Sequence, residues 1–290
     1  MGLTLAERQA LLQNKYLKKS KPKWPLMYIC LFVIVMGIYI FVEPYLIEEK
    51  VVYIADEDIP HLFVDTKIIF ISDIHHGPFF NLRRVKKLVN RINRKNPDIV
   101  LLGGDYVHRS PKYIEPFFHE MRLLKAPLGV YGVLGNHDHC ESTELTGKCM
   151  QKNGIIQLDN KARWVTKGGE RIKIGGVGDY FTDTQDITPT IHDVEKKDFV
   201  ILLTHNPDYV EKLQTDKVDL VLSGHTHGGQ VTFFGLWAPL VPPEYGQKYR
   251  TGLITLNHTK VLVSNGIGTN TPPVRFFARP QLITVVLKRQ

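Results

Sequence analysis

The stretch Lys67-Ile68-Ile69-Phe70-Ile71-Ser72-Asp73-Ile74-His75 couples an apolar run to an acid and an imidazole two residues apart. Residues 67–72 (KIIFIS) read as a strand whose centre, Ile68 to Ile71, is apolar without alternation, the pattern of a strand covered on both faces. The run stops at Asp73-Ile74-His75-His76-Gly77-Pro78. Over residues 81–93, Leu82, Val85, Leu88, Val89 and Ile92 then recur at helical spacing. The opposite face holds Arg83, Arg84, Lys86, Lys87, Arg91 and Arg94, either simply solvated or in contact with anionic lipid.

The same arrangement returns along the chain. Residues 99–102 run into Gly103-Gly104-Asp105, and residues 130–134 into Gly135-Asn136-His137-Asp138, followed by a helical region. Residues 171–177 read as a further strand. Residues 199–203 lead into Thr204-His205-Asn206-Pro207, and residues 220–222 into Ser223-Gly224-His225-Thr226-His227-Gly228-Gly229-Gln230. Strands separated by helices pair in parallel, and open α/β sheets gather ligands at the carboxyl ends of their strands. The C-terminal part offers short strands at 253–256, 261–265 and 282–287. The expectation is an α/β protein, a mixed sheet or pair of sheets with helices outside. In an extended segment residues i and i+2 share a side, so His225 and His227 are expected to aim into one small volume.

Composition sets the wider frame. At 290 residues with 43% hydrophobic and 23% charged residues, the chain can bury a proper core. Its formal charge of +8 is concentrated near the start, where Arg8, Lys15, Lys18, Lys19, Lys21 and Lys23 face only Glu7. The remainder is mildly basic, so nucleic acid is not an expected partner. Residues 26–42 contain no charge, a 17-residue run between Trp24 and Pro44-Tyr45. As a helix the run spans roughly 26 Å, near the lower limit for a bilayer, with Trp24 and Tyr45 as interfacial anchors. Val42-Glu43-Pro44-Tyr45 lacks the small residues of a signal-peptide cleavage site, so the span is expected to be retained. The basic cluster before it, with Glu43, Glu48 and Glu49 after it, puts the N-terminus in the cytoplasm and the body outside. The expected organisation is a basic cytoplasmic tail (1–24), a transmembrane anchor (25–47) and a folded domain (48–290). Cys140 and Cys149 are too far apart along a helix to bridge, so they do not argue for an oxidising compartment.

The strand ends together supply Asp73, His75, Asp105, Asn136, His205, His225 and His227. Mixed oxygen and nitrogen donors without cysteine suit borderline or harder divalent ions. Seven ligands are too many for one tetrahedral ion and fit two ions that share a carboxylate. Two ions about 3.5 to 4 Å apart, with a hydroxide between them as nucleophile, suit hydrolysis of a phosphate ester.

In order, D-x-H at 73–75, GD at 104–105, GNHD at 135–138, TH at 204–205 and GHTH at 224–227 resemble the calcineurin-like metallophosphoesterase family. The resemblance covers residues 67–287. It implies a four-layer sandwich of two mixed β-sheets flanked by helices, and makes residues 48–290 a metallophosphoesterase domain. It further implies that Asp73, His75 and His227 hold one ion, that Asn136, His205 and His225 hold the other, and that Asp105 bridges. His137 would stabilise or protonate the leaving oxygen, with Asp138 orienting its ring. The cofactors implied are two divalent ions, manganese, iron or zinc. The N-terminal span, GHTHGGQ and Pro272-Pro273-Val274-Arg275-Phe276 resemble the bacterial membrane-anchored branch. That branch includes phosphodiesterases and hydrolases of a UDP-diacylglucosamine precursor of lipid A.

Gly104-Asp105-Tyr106-Val107-His108-Arg109-Ser110 departs from the GDxVDRG of the family's protein phosphatases. Arg109 and His108 are candidates for substrate contact, against the plainer reading of a loop arginine and an incidental histidine. His76 and His139 are read as neighbours of the site only. Residues 233–243 are apolar and broken by proline, able to take acyl chains, dip into a bilayer or fold under as core. The expected partners are the bilayer and a phosphate ester, lipid-linked or small. The expected activity is dimetal hydrolysis of a phosphodiester or pyrophosphate. The UDP-diacylglucosamine reaction is an alternative in conflict with the orientation, since it requires a cytoplasmic site. The alternative of another class is a non-catalytic membrane sensor or scaffold with a structural metal site.

Overall fold

Side chains of Ile68 to Ile71 alternate between two buried environments, which explains why the run is continuously apolar. In the computed structural model, which describes residues 2–17 and 24–290, Ile68 and Phe70 enter one core cluster and Ile69 and Ile71 another. The first lies between two sheets, and the second lies between a sheet and its covering helices. A third cluster, including Val177, Leu202, Val221 and Val263, fills the outer side of the other sheet. These three apolar interlayers define the four layers expected from the family resemblance.

The first sheet has the order β1 (Glu48–Asp56), β12 (Gln281–Arg289), β2 (Lys67–Ile71), β3 (Ile99–Leu102), β4 (Val130–Gly132) and β5 (Ile156–Gln157). Strands β2 to β5 are parallel, β12 is antiparallel to β2, and β1 runs parallel to β12. The second has the order β10 (Gly252–Leu256), β11 (Thr259–Val263), β9 (Leu220–Ser223), β8 (Val200–Leu203), β7 (Glu170–Gly176) and β6 (Lys161–Lys167). Its centre is parallel and its two edge pairs are antiparallel. Both sheets are mixed, as expected.

The chain divides into two compact units, Met1–Tyr39 and Ile40–Gln290. Helix α1 (Leu5–Leu17) falls in the first, and helix α2 (Trp24–Val42) ends in the second. No residue of α2 is buried, and the 22 residues Trp24–Tyr45 are long and apolar enough to cross a membrane. The second unit adds α3 (Leu82–Asn93), α4 (Ile114–Met121), α5 (Asn136–Lys152) and a short α6 (Thr188–Ile191). The Asn81 side chain accepts from Arg84 N and starts α3, whose Val85, Leu88, Val89 and Ile92 are buried as their spacing predicts.

Two features differ from the sequence reading. Strand β1 has charged residues and an exposed face, so it lacks the continuous apolar signature of its neighbours. Strand β4 stops at Gly132, and α5 begins at Asn136 itself rather than after the Asn-His-Asp cluster. Cys140 and Cys149 are both free thiols, as their separation requires.

Candidate metal centre

The carboxyl ends of β2, β3, β8 and β9, with the N-terminus of α5, place the sequence-singled residues at one end of the sandwich. Strands β2, β3 and β9 each run into a sharp left-handed turn. Asp73 (φ 51°), His75 (47°), Asp105 (55°), His225 (67°) and His227 (52°) all adopt positive φ, a conformation unfavourable for residues with a Cβ and concentrated at functional sites. The segment carrying His225 and His227 is therefore not extended. His227 opens a 3-10 turn, and the two rings go to different clusters.

In one cluster the His75 and His227 Nε2 atoms face each other at 3.1 Å, and Asp73 Oδ1 lies 3.6 Å from His227 Nε2. In the other, His225 Nδ1 lies 3.2 Å from His205 Nε2. Asp105 stands between them, its Oδ2 3.5 Å from His75 Nε2 and 3.4 Å from His205 Nε2. His205 Nδ1 lies 2.7 Å from the Gly103 carbonyl, which accepts its proton and aims Nε2 into the cluster. Asn136 Oδ1 is buried without a hydrogen-bond partner.

These donors need a cation. Burial drives His75 to a pKa of about 3 and His225 to about 4, and holds His227 well below its ordinary value, so three rings are neutral with lone pairs directed inward. Burial also raises Asp73 to about 6, against the pull of His205. At Asp105 burial pushes upward, but His205 outweighs it and holds the carboxyl well below its usual range. His205 is correspondingly raised well above its ordinary value, with Asp105 and Asp73 overcoming its burial. The carboxylates thus demand positive charge in a dry pocket, where unpaired carboxylates are costly. Divalent ions at the two clusters meet that demand and use the inward lone pairs. The donor set fits.

The remaining candidates separate into distinct roles. His137 is half-buried, its ring edge-on to that of His75 at 4.9 Å, and its backbone N–H donates to Asp105 Oδ1. Asp138 bonds to backbone N–H groups around the neighbouring turns. Its carboxylate accepts from Asp105 N, Tyr106 N and Gly135 N at 2.7 to 2.9 Å, tying the β3 turn to the start of α5. Burial and the neighbouring Asp105 raise Asp138 to about 8, while the three N–H donors favour its ionised form. His108 is buried beside His75 and 3.5 Å from Thr271 Oγ1, whereas Arg109 is exposed. His76 packs against Tyr113 and Phe117 and bonds the Phe80 carbonyl, a structural role. His139 contacts Thr143 and faces Asp183.

Arg275 was singled out in the sequence only as part of a motif. Its fully buried guanidinium donates to the carbonyls of His227, Asn265, Gly268 and Ala278. It thereby holds the His227 turn against the loop that brackets Asp73, where Gly268 N donates to the Asp73 carbonyl. Burial lowers Arg275 to about 10, so it stays charged at neutral pH. The available signal was its isolation: residues 261–274 carry no charge. Thr271 and Asn270, also missed, line the ≈ 240 Å³ cleft over the donors, together with His137, Gln230, Leu240 and Pro242.

The family model for calcineurin-like phosphoesterases matches residues 66–229, which carry every donor described above. The chain belongs to this family. It is therefore a metal-dependent phosphoesterase. Among its relatives in the family is the uncharacterized metallophosphoesterase YkuE of Bacillus subtilis, 32% identical over 86% of this chain and 88% of that protein. Phosphodiesterase YaeI of Escherichia coli is 28% identical, over 83% of this chain and 87% of its own. A transmembrane protein with metallophosphoesterase domain from Danio rerio is 28% identical over 82% of this chain and 56% of its own.

Proposed function

We propose that this chain is a membrane-anchored dimetal phosphoesterase that hydrolyses phosphodiester or pyrophosphate bonds of a lipid-linked or small-molecule substrate. The observation that carries this reading is the pair of donor clusters that share Asp105, with the His137 ring beside them. Asp73, His75 and His227 would hold one ion, Asn136, His205 and His225 the other, with Asp105 between. When bound, two divalent ions neutralise phosphate oxygens and activate water for in-line attack. His137, on the cleft wall, is placed to give a proton from its ring to the leaving oxygen. His108 and Thr271 flank the position a phosphate would occupy, while Arg109 is the weaker candidate for contact.

The phosphodiesterase name of the Escherichia coli relative supports a diester substrate. The Danio rerio relative's transmembrane description and the apolar Trp24–Tyr45 helix support the anchor. We assign residues 1–24 to a basic cytoplasmic tail, 25–47 to the anchor and 48–290 to the catalytic domain, outside the cytoplasm. That orientation rests on the basic cluster before the span, because the acids after it have structural partners: Glu43 with backbone amides, and Glu49 with Arg91 and Lys95. A reporter fused after Gln290, active on one side of the membrane only, tests it.

The central test is turnover of bis-p-nitrophenyl phosphate by purified protein loaded with manganese, iron or zinc in turn. Turnover is expected with at least one metal, and Asp105→Asn and His225→Ala are expected to abolish it. Full activity in either variant would overturn the site assignment.

A further inference from the structure

Residues 231–243 carry no charge, and although Ala238 is buried, the large side chains Phe233, Phe234, Leu236, Trp237 and Leu240 are exposed. Leu236 is 81% exposed, Phe233 66%, Trp237 53% and Phe234 52%. The backbone beneath them is nevertheless ordered by its own bonds. Phe233 N donates to the Trp237 carbonyl, Leu236 N to the Phe233 carbonyl, and Gly235 N to Thr232 Oγ1. Arg250 clamps the Gly235 carbonyl from behind at 2.7 Å. The result is a braced hairpin whose tip presents four large apolar side chains to its surroundings, a patch that water-facing surfaces rarely carry.

The hairpin shares its support with the end of the anchor helix. Phe234 packs on Phe277 with ring centroids 5.1 Å apart. The N–H groups of Phe277 and Ala278 donate to the Glu43 carboxylate at 2.7 and 2.6 Å, and Arg275 N donates to the Ile40 carbonyl at 3.0 Å. One short segment, 275–278, thus holds both the residues where the apolar helix ends and the exposed hairpin. Basic groups border the same region. Arg279 Nε donates to the Leu46 carbonyl, Arg84 stacks on Tyr45 and bonds the Pro44 carbonyl, and Arg83 is exposed. Aromatic side chains beside arginines suit a lipid interface with anionic headgroups.

We propose that the hairpin tip, Phe233 to Trp237, inserts into the bilayer as a second membrane contact of the catalytic unit. The proposal rests on the anchor reading above. Leu240 and Pro242 of the same apolar stretch line the metal cleft, so insertion would bring the cleft mouth to the lipid surface, where an amphiphilic phosphate ester resides.

The test uses the full chain in vesicles of phosphatidylcholine and phosphatidylglycerol. Cys30 and Cys140 are changed to Ser and Cys149 to Ala, and a nitroxide is attached at Leu236→Cys, with Phe233→Cys as a second tip site and exposed Glu144→Cys as control. Power saturation compares collisions with oxygen, which concentrates in lipid, and with a water-soluble nickel chelate. The expected result is an oxygen-to-nickel collision ratio at both tip sites several-fold above that at residue 144. Equal ratios in a chain that resists alkaline carbonate extraction would overturn insertion and leave the anchor intact. Shielding from both reagents would mark a protein contact and equally overturn it. Release of the chain by carbonate would sink the anchor reading, and insertion with it.

Discussion

Asp138 shows how a residue expected to act in chemistry can serve the backbone that carries the chemistry. Its two carboxylate oxygens accept from three buried N–H groups, two of them in the turn that presents Asp105. Leaving buried donors unpaired costs about 1–3 kcal/mol each, so Asp138→Ala is expected to lose several kcal/mol of stability together with activity. An Asp138→Asn variant with a full denaturation midpoint and a lowered kcat would instead indicate an orienting role at His137. Arg275 acts in the same way through the His227 carbonyl. Arg275→Met should cost about 3 kcal/mol or more and lower metal stoichiometry, read by denaturant titration and metal analysis. Asp219 is a different case, distant from the chemistry. It meets Asp56 and Asp58, and the Lys260 ammonium already compensates that trio from 2.7 Å of Asp56 Oδ2. Burial raises Asp219 to about 7. Because the folded pKa lies above the unfolded one, the native state binds this proton more tightly. Its contribution to stability is complete below about pH 4 and is lost as pH rises through about 7. Asp219→Asn, which keeps an acceptor for Val200 N, should be more stable than the parent at pH 8 by up to about 4 kcal/mol. The difference should shrink toward pH 4, as measured by denaturation at a series of pH values.

Among the elements, the parallel strands were legible because both their faces are buried, which forces a continuous apolar run such as Ile99–Leu102. Strands β1 and β6 were not, since charged residues, Glu48, Glu49 and Lys50 in β1 and Lys161, Arg163 and Lys167 in β6, break the apolar run and several of their positions face solvent. The strand-end glycines have a legible position, but their reason lies in the assembled site. A Cβ on Gly224 would collide with Asp73 Oδ2 and Ser72, which belong to the neighbouring sheet's ligand turn. Gly224→Ala is expected to reduce kcat/KM by about 100-fold or more through displacement of a donor, a scale typical of 1 Å misplacements. Circular dichroism should show the fold retained.

Across the whole molecule the site joins two sheets that share one apolar interlayer. Donors from β2 and β3 belong to the first, and His205, His225 and His227 to the second. Ions held between them would tie the sheets together at that end. Chelation of the metal-loaded protein is therefore expected to lower its thermal midpoint by roughly 10 °C. An ion at about 1,000 times its Kd contributes about 4 kcal/mol, and a domain of this size shifts by about 2–4 °C per kcal/mol. Scanning calorimetry with and without chelator checks this, and an unchanged midpoint would argue against ions bridging the sheets.

Residue order alone determined the parallel strands, the clusters at their ends and the donor types, because burial on both faces and metal chemistry each restrict which residues can stand there. Local sequence could not determine which donors meet. The ordered motifs implied the sorting of His225 and His227 and the bridging place of Asp105 only through the family resemblance, and the structural use of Asp138, Arg275 and Glu43 and the exposed Phe233–Trp237 tip depend on segments far apart in the chain. Those relations follow from the left-handed strand-end turns and the packing of one sheet on the other, which only the tertiary structure decides.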